Sequence, residues 1–112
     1  MNLELKRNGR VLTVQVSGEL DLSTSPTFRS RIEEELGNDQ EIKHLILDLK
    51  ETNFVDSSGL GAILGRYKSI AQRNGRLTAV NVPLHLQRLF ELSGLLKVMT
   101  ICSSLEEAQN ID

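Results

Sequence analysis

Tryptophan is absent from this 112-residue sequence, proline occurs only twice, and Cys102 is the sole cysteine. A lone cysteine rules out an internal disulfide, and with no second cysteine or paired histidine nearby it has no metal-site spacing. Cys102 is expected to pack as a small hydrophobe. The aromatics, Phe28, Phe54, Tyr67 and Phe90, are too dispersed to form a base-stacking platform. An excess of positive charge is missing too: the formal net charge is -2, so direct nucleic-acid binding is not expected. No window approaches eighteen consecutive apolar residues, and Met1 to Gly9 alternates instead of forming the apolar stretch of a secretory signal. A cytoplasmic protein without membrane contact is expected.

What is present has the balance of an ordinary globule, 39% hydrophobic and 25% charged. The length suits one domain over residues 1–112. Leu3 to Arg7 and Val11 to Val16 read as an antiparallel hairpin around Asn8-Gly9. Ser23-Thr24-Ser25-Pro26 starts a helix that carries Phe28, Ile32 and Leu36 on one face and stops at Gly37. His44 to Lys50 is a strand. Ser57 to about Asn74 is the longest helix, with an inner stripe expected from Leu60, Ile63, Leu64, Tyr67 and Ala71. Leu77 to Val82 is the next strand, Pro83 opens a third helix that ends at Gly94, and Val98 to Ile101 is a final strand. Ser104 and Glu107 form a capping box for a last short helix.

The order β-β-α-β-α-β-α-β-α predicts an α/β fold. Its sheet is mixed, mostly parallel and five-stranded, with an N-terminal hairpin followed by right-handed β-α crossovers. Polar residues on one strand face (Thr13, Gln15, Asp48, Thr78) place the four helices mainly on the other.

In such a sheet, loops at the carboxyl ends of parallel strands share one edge, where ligands and partners dock. Three segments qualify: Gly18 to Asp21, Asn53 to Gly59, and Asn81 to Pro83. The second leads into a helix holding Gly59, Gly61 and Gly65, and each helical glycine costs about 1 kcal/mol relative to alanine. Close packing on the sheet is one explanation, weighed mainly for Gly65. For Gly59 and Gly61 a smooth surface for a partner is the expectation. Ser57 reads as an N-cap. A hydroxyl there is also a good phosphate acceptor, because the positive helix end stabilises the added charge.

Enzymatic chemistry is poorly supported. A nucleophile elbow needs glycine two residues before the serine, where Val55 stands, and the only histidines are His44 and His85. No phosphate-binding Gly-Lys-Ser/Thr loop occurs. Asp21 and Asp56 are weak evidence for a metal site, and solvated loop carboxylates are the default.

The run Asn53-Phe54-Val55-Asp56-Ser57-Ser58-Gly59-Leu60-Gly61-Ala62-Ile63-Leu64-Gly65-Arg66-Tyr67-Lys68 resembles the signature of the STAS family, the bacterial anti-sigma factor antagonists. Gly18-Glu19-Leu20-Asp21 and Arg88-Leu89-Phe90-Glu91-Leu92-Ser93-Gly94-Leu95 are similar to two further family motifs. The likeness spans nearly the whole chain, and Gly65-Arg66-Tyr67-Lys68 leans toward the sporulation branch over the stress-response one. It implies a non-enzymatic switch that is monomeric when free and holds no cofactor. The unphosphorylated form would bind an anti-sigma factor that is also a serine kinase and so release the sigma factor. That kinase would use ATP to phosphorylate Ser57, and a separate serine phosphatase would reverse the step. Asp21, Asp56, Ser57, Ser58, Gly59, Leu60 and Gly61 would form the partner-binding edge. The alternative is a STAS scaffold or interaction subunit of a stress-sensing assembly.

Overall fold

Alternating side chains at the N-terminus build a hairpin in which β1 (Asn2–Asn8) runs antiparallel to β2 (Val11–Leu20). Asn8 pairs with Val11, so the turn is Gly9-Arg10, one residue later than the sequence motif implies, with Gly9 at φ +61°. The computed structural model describes residues 1–110. After the hairpin come α1 (Ser25–Asn38), β3 (His44–Asp48), β4 (Thr52–Val55), α2 (Ser57–Ala71), β5 (Arg76–Val80) and α3 (Leu84–Ser93). A single 3-10 turn at Leu95–Lys97 then leads to β6 (Thr100–Cys102) and α4 (Leu105–Gln109).

The sheet has six strands in the order β1-β2-β3-β5-β6, with β4 against the far end of β2. All pairings after the hairpin are parallel. The strand beyond the expected five is β4, which lies in a segment that reads as loop. Only Thr52 and Val55 of its four residues are buried, so it has no alternation to reveal it. What creates it is surplus length in β2. Strand β3 pairs with β2 only as far as Gln15, and β4 takes over from Gly18 to Leu20. A register shift between Gly18 and Glu19 marks the handover, with Gly18 at φ +96°. Thr52 Oγ1 donates to the Val16 carbonyl at 2.6 Å, and Gly18 N–H donates to the Glu51 carbonyl at 2.9 Å.

One sheet face packs against Phe28, Ile32 and Leu36 of α1, Ile63 and Ile70 of α2, and Leu86 and Phe90 of α3. The other face has its own small cluster of Ile46, Val80, Cys102 and Ala108, so α4 covers the side that the polar residues mark as solvent-facing. Cys102 is buried there. Ser104 caps α4 by accepting from Glu107 N–H, while the Glu107 carboxylate turns to the Ser103 hydroxyl and leaves the capping box half made.

Helix α2 is rotated from the expected stripe. Its buried residues are Gly59, Ile63, Arg66 and Ile70, whereas Leu64 is exposed. Hydrophobicity favoured the leucines, but the side of α2 that carries Gly59 allows the closer approach to the sheet.

His44 is buried with Nε2 2.8 Å from Thr78 Oγ1. Burial, and secondarily the charge of Arg76, pushes its pKa down from 6.5 to about 4. The unfolded chain therefore binds the extra proton between those values, so stability is full above about pH 6.5 and falls as pH drops toward 4. Urea midpoints of His44→Gln, followed across that window, should fall less steeply than those of the unmodified chain.

Candidate functional site

The pairing of β4 with β2 puts Leu20 beside Val55, so the loops leaving both strands start together. Asp56 joins them. Its N–H donates to the Leu20 carbonyl at 3.2 Å, its Oδ2 accepts from Leu22 N–H at 3.2 Å, and its Oδ1 accepts from Gly59 N–H at 2.9 Å. That last bond makes Asp56 the N-cap of α2, one residue before the Ser57 cap read from the sequence. Both side chains suit the role chemically. The chain leaves β4 with Asp56 in extended backbone, and this decides between them. Ser57 is consequently the first helical residue, exposed, with its hydroxyl released from capping.

Asp21 organises the neighbouring loop. Its Oδ1 accepts from the N–H and hydroxyl of Ser23 and from the N–H and hydroxyl of Thr24, at 2.8 to 3.2 Å. The Ser23 hydroxyl is the main influence holding the Asp21 pKa below 3.8. Desolvation opposes it, and the Thr24 bonds add to it. This loop is therefore expected to loosen only in strong acid. Asp21 and Asp56, considered above as a carboxylate pair for a metal, are each occupied with backbone N–H groups.

The proposed edge is not uniformly accessible. Ser57 and Gly61 are exposed, Asp21, Asp56, Ser58 and Leu60 are half-buried, and Gly59 is buried. A β-carbon on Gly59 would lie 2.3 Å from the Leu20 carbonyl oxygen and 2.8 Å from Val55 Cγ1. Its bare backbone is thus required by helix-on-sheet packing and not by a partner, which corrects the expectation for this residue. Gly65, for which close packing was weighed, has nothing within 4 Å.

Two apolar residues missed by the sequence reading stand beside Asp56. Leu22 is 74% exposed and Phe54 48% exposed, and with Asp21, Ser23 and Asp56 they line a shallow hollow. Phe54 is one of only four aromatics, and its place next to Asp56-Ser57 is the one signal that singled it out. Leu22 sits between polar neighbours with no periodic company. The third loop also reaches this edge: His85 Nε2 lies 3.0 Å from the Asn53 carbonyl oxygen, which ties α3 to β4.

Removing the Asp56 carboxylate takes away both the cap and the link to Leu22. Asp56→Ala is expected to cost about 1–2 kcal/mol, read from thermal unfolding, with amide shifts reaching Leu22 to Thr24.

The model of the STAS domain matches residues 2–108. The chain belongs to the STAS-domain family. This STAS chain is 45% identical over 103 residues to the anti-sigma F factor antagonist of Paenibacillus polymyxa, covering 90% of this chain and 86% of that protein. It is 31% identical over 108 residues to the anti-sigma-B factor antagonist of Bacillus subtilis, covering 95% and 94%. The solved structure of the Bacillus cell fate determinant SpoIIAA in its phosphorylated form superimposes with a TM-score of 0.76, at 25% identity and 97% coverage of both chains. The STAS match therefore runs through all three loops at this edge and the whole sheet. Among the described residues, no helix is long and apolar enough to cross a membrane.

Proposed function

We propose that this STAS chain is an anti-sigma factor antagonist of the partner-switching kind. Its unmodified form binds an anti-sigma factor that is also a serine kinase and thereby frees a sigma factor. The kinase transfers phosphate from ATP to Ser57, the contact is lost, and a phosphatase restores it. The observation that carries this reading is the exposed Ser57 hydroxyl at the first position of α2, with capping delegated to Asp56.

Several features support it. The helix start favours an added anion through its N–H groups and dipole, so a phosphate on Ser57 is compatible with the folded chain. Exposed Leu22 and Phe54 supply apolar contact around the acceptor, as interface cores require. The relatives named above are antagonists of anti-sigma factors, and the greater identity lies with the sigma F antagonist, which favours the sporulation branch over the stress branch. In this reading the protein is a non-enzymatic cytoplasmic monomer that needs no cofactor of its own.

Mass spectrometry after incubation with ATP and the candidate kinase tests the acceptor. Wild type is expected to gain one phosphate on Ser57, and Ser57→Ala to gain none. Undiminished labelling of Ser57→Ala would move the acceptor, first to Ser58.

A further inference from the structure

Helix α2 carries two glycines that packing does not call for. A β-carbon on Gly61 or Gly65 would meet nothing within 4 Å. Interior glycines weaken a helix, so their retention here leaves space that alanine would begin to fill. The space is real: a cleft of about 600 Å³ lies between α2 and the first turns of α1, within the size range of small-molecule sites.

Two of its polar lining residues, Ser25 and Arg66, carry buried atoms without a hydrogen-bond partner among the described residues. Arg66, 5% exposed, reaches the cleft from α2, and its Nε faces Glu33 Oε2 at 2.8 Å. Its Nη1 is buried without a hydrogen-bond partner among the described residues, and so is the Ser25 hydroxyl, which lines the same cleft from α1. Arg29 and Ser58 complete the polar wall. Buried polar groups in native structures are normally paired, and the guanidinium fork matches phosphate and carboxylate oxygens. Glu33 lies at ion-pair distance from Arg66 Nε, while Nη1 has no hydrogen-bond partner among the described residues.

We propose that the α1–α2 cleft binds a small molecule bearing an oxyanion, a phosphate or a carboxylate, next to an apolar body. Arg66 Nη1 and Arg29 meet the charge, the Ser25 and Ser58 hydroxyls donate to it, and the apolar body lies over Gly61 and Gly65. This site goes beyond the switch at Ser57 and needs neither the kinase nor a phosphate on the chain.

The test is a titration of the unmodified protein, followed by amide and arginine side-chain NMR. Phenyl phosphate is the main probe, and inorganic phosphate is the arm that supplies charge alone. Phenyl phosphate should give saturable shifts at Ser25, Arg29, Ser58, Gly61, Gly65 and Arg66 Nε, and should bind more tightly than inorganic phosphate. Gly65→Leu fills the cleft and keeps both arginines, and Arg66→Gln removes the fork. Each should weaken phenyl phosphate at least tenfold. Since Gly65→Leu replaces a helical glycine facing open space, its fold should survive even if Arg66→Gln proves unstable. Each of these results overturns the proposal: no saturable shifts, wild-type affinity in Gly65→Leu, or shifts centred on Arg10, Lys43 and Arg76 at the opposite end of the sheet. Loss of kinase binding in Gly65→Leu, with neither probe binding wild type, would assign the cleft to the partner protein and overturn it equally. None of these outcomes bears on Ser57 as acceptor.

Discussion

Phosphorylation of Ser57 is expected to lower affinity for the cognate anti-sigma factor a hundredfold or more, while the unfolding midpoint of the free chain changes little. The added group brings about −1.5 to −2 charges. In the free protein it meets water and the positive start of α2, so the fold has no reason to rearrange. In the proposed complex it would be pressed against a partner docked on Leu22, Phe54 and the surrounding edge. An uncompensated charge in a desolvated contact costs on the order of 3–5 kcal/mol, and each 1.4 kcal/mol is about tenfold in affinity. Asp21 and Asp56 already make this edge acidic, so the partner surface must also accommodate their charge. Calorimetry on wild type, the phosphoprotein and Ser57→Asp measures the effect, with the aspartate variant showing a smaller loss of the same sign. Tight binding by both modified forms would refute the switch. Size-exclusion of the free chain supplies an independent check: a small monomer accords with an antagonist, and a stable large complex with a scaffold subunit.

Gly59→Val is expected to destabilise the domain by about 3 kcal/mol, whereas Gly61→Ala should stabilise it by about 0.5–1 kcal/mol. These positions lie two residues apart in one glycine-rich helix, and their opposite signs come from what a side chain would meet. At Gly59 the β-carbon runs into the Leu20 carbonyl and Val55. Neither neighbour can retreat easily, because Leu20 is held by β4 pairing and by the Asp56 N–H. Overpacking of that kind outweighs any gain in helix propensity. At Gly61 the added methyl meets open space, so the propensity gain stands alone. Urea unfolding with unchanged m-values would read both effects. A Gly59→Val protein as stable as wild type would mean that α2 does not press on the end of β2 as described. For binding studies the contrast has a practical consequence: loss of partner binding in Gly59 variants reports folding, and only Gly61 reports the surface.

Much of the site was visible in the residues because local chemistry dictates it. A Gly-to-Asp segment at the end of β2, an Asp-Ser-Ser-Gly helix start and a proline before α3 identify the ends of elements. An alternating α/β order then brings those ends to one edge. What local chemistry could not choose was between near-equals. Asp56 and Ser57 are both good caps, and the bond from Asp56 N–H to Leu20, a residue 36 positions earlier, selected the first. The same selection left the Ser57 hydroxyl free of capping. Strand β4 escaped notice because it exists only to occupy the length of β2 that β3 leaves unpaired.

By itself, then, the sequence determined the class of fold, the order of elements apart from β4, the burial of Cys102 and the placing of Ser57 at a helix mouth. Each of these follows from periodicity, capping and turn chemistry within a few residues. Tertiary structure alone decided that Gly59 is a packing residue while Gly61 and Gly65 border an opening, and that Arg66 points inward. It also decided that Leu22 and Phe54 stand exposed beside Asp56. All of these depend on how closely α2 approaches β2 and α1, a distance set by atoms far apart in the chain.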